Sequence, residues 1–492
     1  MATGPPSTWA AASLWTSAPW AQDSWRGISR RRWEWAAAAV LGVLAGGLAA
    51  CGWTWAGLGL VAAVALAWAG AHLAWSSIQT VLLAALLFVP DAVSGKTLGL
   101  RVTWSAGLTW TNFVVPGLAL PLLAGAFWKG QKLWPERFPG LARWMLALLA
   151  WSLLVLAVTS LESGVSLLSP TGLLSILAHA FKLALFIVIG VALASGGASW
   201  RRGAERLLLW GIALNAAVGL AQVGGWVAAL SPLAQGSHPR ATGLLYDANL
   251  YAVCTSWALL WLLCQPPQPG RRRWAYWALT LAVAGSLVGA GSRAGFLACL
   301  AGGCVLWFCG HRRAVGRAAL LLILMTLLFP ARTWHRIRSA ADTYAHSSAG
   351  APIAAADTST LSRLDSMGEA VLQIGRHPLL GLGFGRALYL GVPAVAPGPV
   401  APPILFRGAQ DMYLTVEAAA GPLGLLLLLF AIAAPFRLLN RGQRYAAAAV
   451  LAGYAGVLTA CLTQEALWNA RLLAVVVMLT ASIGIGWRRE TE

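Results

Sequence analysis

The chain has 492 residues, of which 59% are hydrophobic and 10% charged, and it carries a formal net charge of +19. Soluble domains carry about a quarter charged residues, so a mean hydropathy of +0.69 excludes a large soluble enzyme and describes a membrane protein of many spans. In such a protein a basic excess marks loops at a membrane surface, and no nucleic-acid partner is expected.

The opening stretch, residues 1–33, lacks the basic, apolar and cleavage-site order of a signal peptide. Arg30, Arg31 and Arg32 stand directly before the first long apolar run. A cytoplasmic tail followed by a retained first helix is expected. Apolar runs near 34–50, 53–71, 74–90, 105–128, 143–160, 172–195, 207–230, 245–264, 274–290, 294–309, 317–330, 412–435, 445–464 and 470–487 read as spans, since a helix needs about 20 residues to cross a bilayer. Several are short, so the expected fold is an all-α integral membrane protein. It would be a polytopic bundle of about 12–14 transmembrane helices with one long extracytoplasmic loop. About eleven of the helices would fall in 34–330 and about three in 411–492, on either side of the loop at 331–410. Trp33, Trp35, Trp128, Trp274 and Trp487 sit at span ends, where indole anchors a helix at the headgroup level. The cysteines lie in or beside apolar runs without metal-ligand spacing, so they read as small hydrophobes, and neither a metal nor another cofactor is expected.

Alternating the spans from an inside amino terminus places 22 Lys and Arg inside and 12 outside, and seven of the twelve fall in the long loop. Long loops weigh little in this bias, so both termini are expected on the cytoplasmic side. Within the loop, "DTSTLSRLDSMGEAVLQIGRHP" (357–378) reads as an amphipathic helix with Leu361, Leu364, Met367, Val371 and Ile374 on one face. It is expected to lie on the membrane as a lid. "GLGFG" (381–385) reads as a flexible turn, and "GVPAVAPGPVAPP" (391–403) as an extended segment.

In this topology four polar stretches meet the outer face. "SHPRATGLLYDANLY" (237–251) brings His238, Arg240, Asp247 and Asn249. "GSRAG" (291–295) brings Arg293, a permanent charge between two apolar runs. The loop helix brings Arg363, Glu369, Arg376 and His377. "GAQDMYLTVEAAAGPLG" (408–424) brings Gln410, Asp411, Tyr413 and Glu417. Guanidinium forks hold phosphate oxygens through paired hydrogen bonds, and a nearby carboxylate can take a proton from a hydroxyl nucleophile. A lipid-linked sugar diphosphate needs both. Each residue also has a structural reading: Arg293 as a snorkelling surface charge, Asp411 as a helix cap, His377 as part of a helix stop, and Lys182 and Glu417 as members of intramembrane pairs.

"GSRAGFLACLAGG", then "RLDSMGEAVLQIGRHPLLGLGFG" in a long outer loop, then "AQDMYLTVEAAAGPLGLLLLL" resembles the O-antigen ligase and polymerase superfamily. "RATGLLYDANLYA" is similar to that family's Arg-x-x-Gly…Asn stretch. The resemblance covers 237–430. It implies a glycosyltransferase of the GT-C type in the bacterial inner membrane, working without metal on the periplasmic side. Such an enzyme takes a glycan from an undecaprenyl-diphosphate-linked donor to lipid A-core or to a growing polysaccharide. Arg240 and Arg293 would hold the diphosphate. Arg363, Arg376, His377, Asn249 and Tyr413 would contact substrate, and Asp411, Gln410 and Glu369 would stand nearest the chemistry. Ligases of this family commonly carry His-Asn where this chain has Gln410 and Asp411, and a glutamine cannot act as a base. Either Asp411 takes that role, or the reaction differs, or the activity is lost. The competing class is a transporter for an anion or lipid-linked saccharide, although the repeats and broken helices usual in transporters are not apparent in the sequence.

Overall fold

The computed structural model describes residues 63, 65–89, 110–135, 138–162, 170–226, 240–245, 247–265, 271–328, 358–383, 411–437, 444–463 and 466–486. Every regular element among them is helical. In chain order these are α1 (Trp75–Phe88), α2 (Trp110–Trp128), α3 (Gly140–Glu162), α4 (Pro170–Ala194), α5 (Ala198–Val223), α6 (Ala248–Cys264), α7 (Arg271–Ala290), α8 (Arg293–Phe308), α9 (Arg312–Leu328), α10 (Thr358–Arg376), α11 (Met412–Phe436), α12 (Arg444–Ala460) and α13 (Ala470–Gly486). The amino-terminal tail, the span expected at 34–50, most of that at 53–71, the 391–403 segment, His238 and Gln410 lie outside the described residues.

Three stretches, Gly140–Thr159, Trp200–Val223 and Met412–Phe436, are long and apolar enough to cross a membrane, and further apolar helices are shorter. Trp128 and Trp274, 90% and 79% exposed, stand at helix ends as membrane-interface anchors would. The expected span at 207–230 is shifted, because α5 begins at Ala198 and ends at Val223. Its first turns carry Arg201, Arg202, Glu205 and Arg206. Hydropathy excludes such a turn, but a helix readily contains it.

The tightest helix pair is α8 with α12, and small residues permit it. A Cβ on Gly302 would lie 2.6 Å from the Ala452 carbonyl oxygen, and one on Gly456 would lie 2.8 Å from that of Ala298. These two contacts fix one antiparallel register, in which Arg293 at the start of α8 is level with Cys461 just beyond α12. Met412 N donates to the Cys461 carbonyl at 2.8 Å. The register therefore brings the amino terminus of α11 to the same end of the bundle as that of α8.

α11 is broken. Gly421 has φ 63°, and Pro422 follows it. The proline has no N–H to donate and its ring crowds the turn before it, so carbonyls ahead of the break need other partners. Leu382 N donates to Ala418 O at 2.8 Å, Gly383 N to Ala419 O at 2.9 Å, and Trp151 Nε1 of α3 to Ala420 O at 2.8 Å. The expectation of a flexible turn is thus corrected for 381–383, which is docked into the broken helix by its backbone. The helix expected in the loop forms as α10, and one face of it rests on α11. Met367, Ala370 and Ile374 of α10 pack against Leu414, Ala418 and Ala419 of α11. Val371 of the expected stripe points away and is 58% exposed.

Candidate functional site

One end of the bundle gathers polar groups from distant parts of the chain. Arg240 Nε donates to the Ala290 carbonyl at 2.9 Å, and its Nη2 donates to Asn249 Oδ1 at 3.3 Å. Ser292 Oγ donates to the same Asn249 oxygen at 2.8 Å. Asn249 thus joins Arg240 to the residue immediately before Arg293, whose side chain is exposed. These bonds set the plane of the Arg240 guanidinium, which is half-buried.

The "RATG" stretch has a local physical reason. The backbone of 241–244 wraps around two amide side chains of α5. Gln222 Oε1 accepts from Thr242 N at 2.8 Å and from Gly243 N at 2.9 Å, and Gln222 Nε2 donates to Gly243 O at 3.1 Å. Asn215 Oδ1 accepts from Leu244 N at 3.0 Å. Gly243 has φ 56°, and a Cβ there would lie 2.4 Å from the Tyr251 ring and 2.8 Å from Asn215 Oδ1, so only glycine completes this turn.

Four capped helix amino termini face this end. Asp247 caps α6 through Asn249 N and Leu250 N, and Ser292 caps α8 through Gly295 N. Asp411 caps α11 through Tyr413 N and Leu414 N at 2.8 and 3.0 Å, and Asn469 Oδ1 accepts from Leu472 N at the start of α13. Helix amino termini carry partial positive charge, which the capping oxygens meet. At this end they stand beside two cations, Arg240 and Arg293, and two carboxylates, Asp247 and Asp411.

Asp411 is buried. Burial pushes its carboxyl above the usual carboxylate range, opposed by the bonds from the Leu414 and Tyr413 amides. Tyr413 is half-buried, and its hydroxyl donates to the Leu458 carbonyl at 3.2 Å. In α10, Glu369 is half-buried and accepts from Gln373 Nε2, whereas Arg376 and His377 are exposed. Arg363 lies in α10, but its side chain is outside the described set. The structure therefore brings Arg240, Asn249, Ser292 and the start of α8 into one network, and the α8–α12 register sets Asp411 level with it. Glu369, Arg376 and His377 stand on the separate α10–α11 unit, and Lys182 lies in the middle of α4.

Beside the network a cavity of about 580 Å³ opens between α1, α5, α6, α12 and α13. Leu245, Leu250 and Asn215 line it next to the Arg240 turn, and Gln265 and His311 lie toward its opposite end. Arg471 also lines it, only 7% exposed, with Nη2 donating to the Leu87 carbonyl at 2.7 Å. Ser292 as a network member, and also Asn215, Gln222 and Arg471, were not among the residues expected from the sequence. A buried amide, Gln222, and a half-buried one, Asn215, seven residues apart on one apolar helix are a readable signal, because unsatisfied amides there are costly.

Among the described residues the bundle is all-helical, with helices long and apolar enough to cross a membrane and with Arg240 and Arg293 at one end. Residues 278–429 match the family model described as O-antigen ligase (Wzy_C), and this match supports the O-antigen ligase/polymerase superfamily for the chain. The apolar helices and this family describe a bacterial membrane protein. The matched stretch holds Ser292, Arg293, α10 and Asp411; Arg240 and Asn249 precede it. No curated protein matches the chain.

Proposed function

We propose that the chain is a multi-span glycosyltransferase of the O-antigen ligase/polymerase type. It would move a glycan from an undecaprenyl-diphosphate-linked donor to a sugar acceptor, on lipid A-core or on a growing polysaccharide, at the periplasmic face of the inner membrane. The observation that carries this reading is the network in which Asn249 ties Arg240 to Ser292, beside Arg293 and at the level of Asp411. Positive groups held in place before the reaction favour charge developing on a leaving diphosphate.

In this reading the donor's diphosphate sits against Arg240 and Arg293, and its isoprenoid tail follows the cavity that begins at Leu245 and Leu250, along its leucine and alanine lining. The acceptor hydroxyl oxygen bonds to the anomeric carbon of the donor sugar. The bond from that carbon to the diphosphate oxygen breaks, and its electron pair leaves with the diphosphate. The hydroxyl proton passes to Asp411. A carboxylate whose proton affinity is raised by burial is a better base than an ordinary one, which offsets the Gln410 departure from the family's histidine. Glu369, Arg376, His377 and Arg363 on α10 border the acceptor's side, and Tyr413 supports the start of α11.

The test is transfer in proteoliposomes from a purified lipid-linked donor. Wild type transfers glycan, and Arg240→Ala and Arg293→Ala do not. Undiminished transfer by both variants defeats the reading. In cells, single repeat units left on the acceptor after deletion indicate a polymerase, and bare acceptor indicates a ligase.

A further inference from the structure

We infer that Gln222 is a positioning residue for Arg240, with Asn215 as its second point of hold, and that this pair sets how tightly a polyprenyl diphosphate binds. The inference rests on the donor site proposed above. It assigns a role to α5, a helix that lies wholly outside the stretch matching the family.

Gln222 is fully buried in the last turn of α5. Its amide satisfies three backbone groups of the Arg240 turn: the N–H groups of Thr242 and Gly243 and the carbonyl of Gly243. Thr242 Oγ1 donates to the same Gln222 oxygen at 3.3 Å. Seven residues earlier, two turns along the same face, Asn215 holds the next amide, that of Leu244. The Asn215 carbonyl accepts from Tyr251 Oη at 3.1 Å, and that tyrosine ring closes over Gly243. On its other side the turn is held by α7: Ala241 N donates to Gly289 O at 3.2 Å, and Arg240 Nε donates to Ala290 O.

The turn that presents Arg240 is therefore clamped between α5 and α7. The α5 side of the clamp is made by two side chains, Gln222 on Thr242 and Gly243 and Asn215 on Leu244. An arginine on an unclamped turn would pay the ordering cost at the moment of binding, and preorganisation removes that cost. Asn215 also lines the cavity, so one helix face spaces the cavity mouth from the guanidinium.

The experiment measures undecaprenyl diphosphate binding to the full chain in lipid nanodiscs, together with amide hydrogen exchange across 241–245. In Gln222→Leu, the amides of Thr242 and Gly243 lose protection and the Kd rises at least tenfold. Gln222→Glu, which keeps an acceptor for both amides, restores binding to within about threefold of wild type. Gln79→Leu is the control for a merely structural buried amide, because Gln79 is also fully buried and its Nε2 donates to Ala192 O at 2.7 Å. It lowers thermal stability and leaves the Kd unchanged. If Gln222→Leu is not recovered folded, Asn215→Ser frees the Leu244 amide, together with the Asn215 bond to the Gly211 carbonyl, and raises the Kd about threefold. Lost protection at 242–243 with an unchanged Kd, while Arg240→Ala weakens binding, overturns the positioning role. An unchanged Kd in Arg240→Ala overturns the donor site itself, and the exchange data then report on the clamp separately.

Discussion

Two regions at the polar end of the bundle are held by different means. The Arg240–Asn249–Ser292 region is tied by side-chain hydrogen bonds from α5, α6 and α8. The α10–α11 region is docked by backbone hydrogen bonds into a broken helix and by a small patch around Ala370, Ala418 and Ala419. Side-chain networks on rigid helices preorganise charge, whereas a lightly packed segment opens at low cost. The contrast fits a donor that must be gripped in one geometry and an acceptor that must come and go.

The sharpest way to break this contrast is to remove the cations of each region in turn. Arg240→Ala is expected to lower transfer about 100-fold or more, the usual cost of losing a fixed electrostatic donor. Transfer from the lipid-linked donor reads this directly. If the exposed Arg376 matched that loss, the two regions would not differ in role.

Asp411 comes next, because cap and base can be separated there. Asp411→Asn keeps a capping oxygen and lowers transfer about 100-fold, within the range for a general base. Asp411→Ala lowers it as far and also costs about 1 kcal/mol of stability for the lost cap, read as a lower melting temperature. Burial raises this carboxyl's pKa in the folded protein, so a pH series on wild type should show transfer rising with pH through a value above the ordinary carboxylate range. The stability sign is the opposite. Between the unfolded and folded pKa values the folded chain binds more protons, so this group's contribution to stability falls as pH rises through that window. Asp411→Asn abolishes both dependences.

A smaller effect is expected at the loop dock. A Cβ on Gly381 would lie 2.7 Å from the Ala418 carbonyl oxygen, and its φ is 74°. Gly381→Val should cost about 1–3 kcal/mol and expose 377–383 to protease, with a milder loss of transfer than Arg240→Ala. The smallest effect is at the rim, where Arg376→Ala should change stability by no more than about 0.5 kcal/mol, measured by thermal unfolding.

Much of the helical frame was legible because apolar run length fixes where a span can lie. The expected 412–435 run became Met412–Phe436, and 294–309 became Arg293–Phe308. Where charges continue a helix, as at Arg201 and Arg202 before the apolar part of α5, hydropathy misplaces its start. The arginines of the site could be named from the sequence, since a guanidinium among apolar residues stands out. Its supports could not. Gln222 and Ser292 act through backbone and amide contacts that depend on which helices meet, and the α8–α12 register that brings Asp411 level with Arg293 is set by Gly302 and Gly456. The dock at 381–383 was misread because glycines that look mobile in sequence are required here for close backbone approach.

In the proposed mechanism Arg240 and Arg293 together grip a pyrophosphoryl lipid, and a structure determined with undecaprenyl diphosphate in nanodiscs puts this to the test. The expected result is phosphate oxygens within hydrogen-bond distance, about 2.7–2.9 Å, of both guanidinium groups, with the isoprenoid chain entering the cavity past Leu245. A diphosphate bound elsewhere, on Arg471 or at the opposite end near Arg312, would contradict it.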